Sequence, residues 1–406
     1  MKKRLRVLLI DVNCKNSSTG QIAYNLYSYL NAHGDYAAIC YGRGKSIHEK
    51  NIYKFGIDIE TYIHAFLTRI TGLTGCFSYF STKRLIKYID KFNPDIVHIH
   101  ELHAYFVNIS QLLNHLAKKR IRVVHTLHCE FSYTGKCGHS IDCDKWKNEC
   151  DKCPHLKDYP STLCFDHTRY MFNEKKRAFL KLHHPTYVVP STWLYKRIKQ
   201  SFLKHEDIRL IHNSIDTSIF HYQDRELIKN EKGINRNTKV VLALAPDLMS
   251  DNKGGKYVMQ VAQKMQNVLF ILIGTGHKPY KKENVHDLGN IYDKYELAKY
   301  YSLADAFVIC SKNENFPTTC IEAICCGTPI VGFDAGGARE VAPGNLGTFV
   351  QYGNVEALVT ELNKIIYNNS IENLRNEFHA ISNHYSIKRM CEEYRSVYIC
   401  ENEFDY

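Results

Sequence analysis

The chain has 406 residues, 44% of them hydrophobic and 23% charged, which is the profile of a globular protein long enough for two or three domains. The opening segment has an apolar core of only Val7 to Ile10, too short for a signal peptide, and no stretch approaches the roughly 18 apolar residues that span a bilayer; a cytoplasmic protein, at most peripheral to a membrane, is expected. The net charge of +11 favours an acidic ligand or an anionic membrane surface, whereas nucleic acid is not expected, because no basic run interleaved with aromatics stands out.

Residues 5–10 form an apolar run that reads as the first strand of a parallel sheet. A polar loop and a helically periodic segment, 21–30, follow it. Ser17, Ser18, Thr19 and Gly20 therefore fall at a helix N-terminus, where backbone N–H groups favour an anion. Residues 36–41 read as a second strand and 59–92 as mostly helical. Residues 96–99 form a buried strand leading into His100, Glu101 and His103. His98 and His100 share a face by strand alternation, a pattern that more often marks a hydrogen-bonded polar edge than a metal site. A helix over 107–118 and a strand over 122–127 lead to His128. A basic helix over 169–183, a strand over 187–189, a helix from Ser191 to about Ser201 and a strand over 208–211 complete the first series.

A second series begins after the charged stretch 224–237, which reads as linker and surface. Strands over 240–245 and 269–273 end in the loop around Lys253 and in Gly274-Thr275-Gly276. A helix over 294–302, a strand over 306–310, a helix over 319–326, a strand over 330–333 and closing helices over 355–367 and 387–400 follow. The expected fold class is α/β, with two Rossmann-like doubly wound domains facing a cleft. The expected boundaries are 1–216 and 217–386, with 387–406 crossing back to the first domain.

The most informative stretch is Ser311 to Gly337. Glu314 lies in the loop that leaves a strand, and Glu322, eight positions on, lies one turn into the next helix. Phe316 and Pro317 occupy the turn between them, and the backbone N–H groups near Thr318 and Thr319 open the helix as an anion site. One carboxylate can take sugar hydroxyls and the other ribose hydroxyls, with a diphosphate between them at the helix end. This Glu-x7-Glu pattern, with Phe-Pro before the helix and Gly-x-Pro after it, resembles glycosyltransferase family 4, the retaining group with the GT-B fold. The resemblance implies that Glu314 contacts the donor sugar and Glu322 the ribose. It implies that Lys253 faces the donor diphosphate, that His128 lies near the reacting carbon, and that Gly274 lines the nucleotide pocket; Gly20, at its helix N-terminus, is a further donor-binding candidate. Two positions depart from the family pattern. Asn252 replaces the arginine expected beside Lys253, and Cys129 follows His128 where an aspartate is common.

The chain has 15 cysteines, most of them expected to be reduced thiols. Cys137, Cys143, Cys150 and Cys153 fall within 17 residues of a loop without hydrophobic periodicity, and four thiolates at this density can hold one structural zinc. Two disulfides, disfavoured by a reducing compartment, or unpaired thiols are the alternatives. The insert is similar to that of a family 4 subgroup that builds bacterial surface polysaccharides, colanic-acid-type enzymes among them. The implied function is transfer of a sugar from a nucleotide-sugar to a lipid-linked glycan acceptor, with no cofactor required for catalysis. A nucleotide-sugar epimerase of the same fold and a non-catalytic, zinc-scaffolded sugar-binding protein are the competing readings.

Overall fold

The computed structural model describes residues 4–276, 281–367 and 375–400. The chain divides into two compact units, one built from Met1–Ile211 with the segment from Cys391 onward, the other from His212–Met390. Residues 401–406 of the expected crossing segment lie outside the described residues.

In the first unit, β1 (Arg6–Asp11), β2 (Tyr36–Tyr41), β3 (Ile52–Lys54), β4 (Ile96–Ile99), β5 (Arg122–Thr126), β6 (Thr186–Val189) and β7 (Asp207–Leu210) pair in the order β3-β2-β1-β4-β5-β6-β7. Every pairing is parallel, so the strands need helical crossovers and both sheet faces are covered. One face, with Leu8, Ile10, Val97 and Ile99, packs on the helices Tyr79–Phe92 and Ile109–Lys118 through Leu85, Ile89, Leu112 and Leu116. The register sets Leu9 opposite His98, so His98 points to the other face. There its Nδ1 lies 2.6 Å from the Tyr398 hydroxyl and its Nε2 lies 2.8 Å from Thr126 Oγ1, which also bonds the Tyr394 hydroxyl at 2.9 Å.

In the second unit, β8 (Lys239–Leu244), β9 (Val268–Ile273), β10 (Lys281–Lys282), β11 (Val285–Asp287), β12 (Ala306–Ile309), β13 (Ile330–Phe333) and β14 (Gly347–Val350) pair in the order β10-β11-β9-β8-β12-β13-β14. Only the short β10 edge is antiparallel. Alternation along β8 sends Val240 and Leu242 into one core and Val241 and Ala243 into the other. In both sheets the strand order reverses beside the first strand, at β1/β4 and at β8/β12. Loops leaving the strand C-termini converge at such a point.

Residues 224–237 are not a linker. Asp224 caps the helix Arg225–Glu231 by accepting from the N–H groups of Glu226 and Leu227 at 2.9 and 3.1 Å. Its charges are neutralised internally, because buried Asp305 takes Arg225 at 3.3 Å and Lys229 at 3.4 Å, and Lys229 also donates to the Thr238 carbonyl at 2.7 Å. The helix expected over 169–183 spans Thr168–Phe179, and the one expected over 319–326 spans Thr318–Cys325.

Candidate active site

The loops that follow β8 and β12 carry Lys253 and Glu314, and the structure brings the two side chains together, Nζ to Oε1 at 2.6 Å. Both remain partly open, Lys253 at 32% and Glu314 at 15% side-chain exposure, so the pair is held in place and still reachable by a ligand. The Glu314 loop is pinned from behind by the turn after β13. Glu314 bridges Gly336, and the Gly337 N–H donates to the Glu314 carbonyl at 2.7 Å. Gly336 has φ +75°, and a Cβ there would sit 2.1 Å from the Glu314 carbonyl oxygen, so only glycine allows this approach. Gly274, with φ +89°, is still tighter, since a Cβ would meet the Ala245 carbonyl oxygen at 1.6 Å.

The helix Thr318–Cys325 begins directly after this loop. Pro317 is its N-cap residue and no side chain caps it, so the N–H groups at Thr318 and Thr319 point out of a bare helix end. The Phe316 side chain faces inward. It is buried and stacks on His212 at 4.6 Å between ring centres, while the Asn213 amide donates to the Phe316 carbonyl at 2.9 Å. Phe316 thus braces the loop from within, and the structure does not present its side chain as a ligand contact. Glu322, one turn on, accepts from the buried Tyr301 hydroxyl at 2.9 Å. Burial pushes its carboxyl up to about 7, against the pull of the Tyr301 hydroxyl and the Lys294 charge. Asn252 carries no charge, but its carbonyl accepts the Lys312 N–H at 2.8 Å, which brings a second, exposed lysine to this end of the sheet.

In the first unit, Gly20 lies in the opening turn of the helix Ser18–Ala32 and donates its N–H to Ser17 Oγ at 3.0 Å. The strand ends nearby gather a polar cluster that reading the sequence identified only in part. His128 Nε2 lies 3.1 Å from His100 Nδ1, and burial lowers the basicity of both rings, which keeps them neutral at pH 7. Glu101 accepts from His103 at 3.0 Å and from the Cys129 thiol at 3.6 Å. Asp11, at the end of β1, is raised to about 7 by burial and then by the charge of Glu101. Asp11, Glu101, His103 and Cys129 belong to three different strand ends. The signal available beforehand was that each follows a buried strand. Glu130, the acid beside Cys129, does not join them. It is fully buried, pairs with Arg197 at 2.5 Å and accepts the Ser140 N–H at 2.6 Å, so it anchors the insert.

Cys137, Cys143, Cys150 and Cys153 are all free thiols and line one cavity of about 20 Å³, room for a single water-sized occupant. Cys150 Sγ accepts the Gly135 N–H at 3.1 Å. A thiol hydrogen bond from Cys137 lowers Cys153 to about 6 and raises Cys137 in return. Sulfur donors are of the soft kind that zinc takes. They do not stand at mutual ligand distance, since among the described residues only Glu101, His103 and Cys129 place three ligand atoms within 4.8 Å of one another.

Two family models match the chain in succession, Glycosyltransferase Family 4 over residues 19–219 and Glycosyl transferases group 1 over residues 224–383. A putative colanic acid biosynthesis glycosyl transferase, WcaC of Escherichia coli K12, is 26% identical over 75% of this chain and 76% of its own length. Among solved structures, sucrose-phosphate synthase of Thermosynechococcus elongatus superposes with a TM-score of 0.69 at 16% identity, covering 97% of this chain and 98% of that one. HepE of Anabaena, solved with UDP and glucose, superposes with a TM-score of 0.64 at 15% identity, covering 97% of this chain and 99% of that one. These likenesses give the fold, two Rossmann-like domains of the GT-B type. The chain belongs to the glycosyltransferases in which a family 4 domain is followed by a group 1 domain.

Proposed function

We propose that the chain is a retaining glycosyltransferase that moves a hexose-type sugar from a nucleotide-diphosphate sugar to a lipid-carried glycan acceptor during surface-polysaccharide assembly. The observation that carries this reading is the Lys253–Glu314 contact of 2.6 Å, set beside an uncapped helix end at a strand-order reversal. In the transfer the bond from the anomeric carbon to the diphosphate oxygen breaks, a bond to an acceptor hydroxyl oxygen forms on the same face, and the hydroxyl proton leaves with the diphosphate. Negative charge builds on the leaving group, where Lys253 and the N–H groups at Thr318 and Thr319 oppose it. Glu314 receives hydroxyls of the sugar and holds the Lys253 ammonium in place, and Glu322 receives the ribose. His128 lies near the reacting carbon of the donor. The relative named for colanic acid synthesis supports the polysaccharide role, and the neighbour solved with UDP and glucose supports the donor class. The four-cysteine insert holds one structural zinc in this reading. No helix among the described residues is long and apolar enough to cross a membrane, which suits peripheral work at the inner face of the cytoplasmic membrane.

The test is to incubate the purified chain with nucleotide-sugars, with and without a lipid-linked glycan. Acceptor-dependent release of nucleotide diphosphate, with the anomeric configuration of the product unchanged by NMR, is the expected result. Isomerised nucleotide-sugar without release would identify an epimerase, and binding without turnover a sugar-binding protein.

A further inference from the structure

The helix Asp58–Thr71 is inside out. The residues it buries are polar, Thr61, His64 and Thr68, none more than 5% exposed. Each makes a side-chain hydrogen bond, and the His64 ring also meets Phe77 and Tyr105 edge-on. His64 lies 2.7 Å from Ser78 Oγ and accepts the Gly75 N–H at 3.2 Å, and Thr68 Oγ1 donates to the Leu73 carbonyl at 2.9 Å. The outward residues are Ile59, Tyr62, Ile63, Phe66 and Ile70, between 39% and 72% exposed. Their spacing of three, four, seven and eleven from Ile59 is one continuous helical stripe. The surface extends past both ends of the helix. Glu60 accepts the N–H groups of Phe80 and Ser81, each at 2.7 Å, which sets exposed Tyr79 and Phe80 beside one end. At the other end the Leu163 N–H donates to the Arg69 carbonyl at 2.8 Å, and Leu163 is 75% exposed. Isolated exposed apolar side chains need no explanation, but a contiguous face of this kind does.

We propose that this face is a membrane-docking surface that inserts into the acyl boundary of an anionic leaflet. The charges around it decide for lipid over a protein partner. The two acidic groups of the helix are already engaged, Asp58 by Lys54 at 2.8 Å and Glu60 by the backbone beside Phe80. Arg69 is exposed on the helix itself, and exposed Lys83 holds its Nζ 4.4 Å from the centre of the Tyr79 ring. A mixed aliphatic and aromatic face flanked by exposed cations, with its own acidic groups already paired, suits insertion at an anionic lipid surface. Each cation near such a surface adds attraction that salt weakens. The proposal deepens the reading of a lipid-carried acceptor, because it tethers the first unit to the surface where such an acceptor lies.

The test reads docking apart from catalysis. Phe66→Trp places a fluorophore on the stripe, and the full-length chain is mixed with phosphatidylglycerol-containing vesicles, with neutral vesicles, and with vesicles carrying brominated acyl chains. A blue shift with anionic vesicles and quenching by the bromines are expected. In the Ile63→Ser/Phe66→Ser variant, vesicle binding should fall at least about tenfold, with the circular dichroism spectrum and UDP binding unchanged. A blue shift that grows with protein concentration in the absence of vesicles would show a second copy on the face and overturn the proposal, as would a spectrum indifferent to vesicles. Loss of UDP binding in the unaltered chain would instead count against the transferase reading and leave the docking result to stand by itself.

Discussion

Replacing Glu322 by glutamine should change the pH dependence of stability in a way fixed by the burial of that carboxyl. The group titrates near 4.5 when solvated and is held up to about 7 in the fold, chiefly by desolvation. As pH rises through that window the unfolded chain loses its proton first. The stabilising contribution is therefore fully present below about 4.5 and is lost by the time pH passes about 7. Holding the carboxyl from 4.5 up to about 7 corresponds to roughly 3 kcal/mol. Glu322→Gln cannot ionise, so it should match the wild type near pH 4 and exceed it by up to about 3 kcal/mol near pH 8. Denaturant unfolding, following the transition of the second unit, measures this. Nucleotide binding gives a second reading of the same carboxyl. Ribose hydroxyls that donate to Glu322 favour its ionised form, so binding should release a proton and UDP affinity should rise with pH up to about 7 in the wild type only. Calorimetry in buffers of different ionisation enthalpy detects that proton. Parallel stability and binding profiles for wild type and variant would refute both the shifted carboxyl and the ribose assignment.

Glu314→Gln and Lys253→Met each break the 2.6 Å pair and should lower kcat about 10²–10³-fold, while the double variant should cost little more than either one, in a steady-state comparison. Lys312→Ala should weaken UDP binding if the lysine tied to Asn252 supplies the second cation, and wild-type affinity would remove it from the site. Gly274→Ala should destabilise the second unit by more than about 2 kcal/mol in the same unfolding assay, because its Cβ would lie 1.6 Å from a carbonyl oxygen. Metal analysis of protein purified without chelator should find about one zinc per chain, lost when Cys137, Cys143, Cys150 and Cys153 are replaced by serine; two disulfides by mass spectrometry would eliminate the zinc site.

The strands of both sheets were readable wherever four or more apolar residues run together, as in Leu8 to Ile10 or Phe307 to Ile309 with their neighbours. Short strands such as β3, β11 and β14 were not, since three or four half-buried residues carry no period of their own. The helix Arg225–Glu231 was hidden by its charges, which make sense only once buried Asp305 is known to receive them. Glu314, Glu322 and Lys253 could be picked out because turn residues at fixed spacing surround them. That Lys253 touches Glu314, 61 positions away, is a property of the strand order and is invisible locally. The inverted helix Asp58–Thr71 shows the limit of amphipathic reasoning. The region reads in sequence only as mostly helical; the usual rule would turn its apolar stripe to the core, but the polar face is the one that packs.

The helix Ile387–Ile399 begins in the second unit, and from Cys391 onward it belongs to the first. This has a consequence for how the protein is made. When the ribosome has delivered residues as far as Ile211, the first sheet has all of its strands but not its last layer. His98 and Thr126 still lack the hydroxyls of Tyr398 and Tyr394, Arg122 lacks the carbonyls of Val397 and Tyr398, and Asp35 lacks Arg395. The first unit must therefore wait, with polar groups exposed that are later sealed, until the stretch from Cys391 onward emerges. Folding of the first unit is closed by a segment translated only after the whole second unit. A nascent chain stalled shortly after Met390 should remain open to protease along that face, however complete its second sheet.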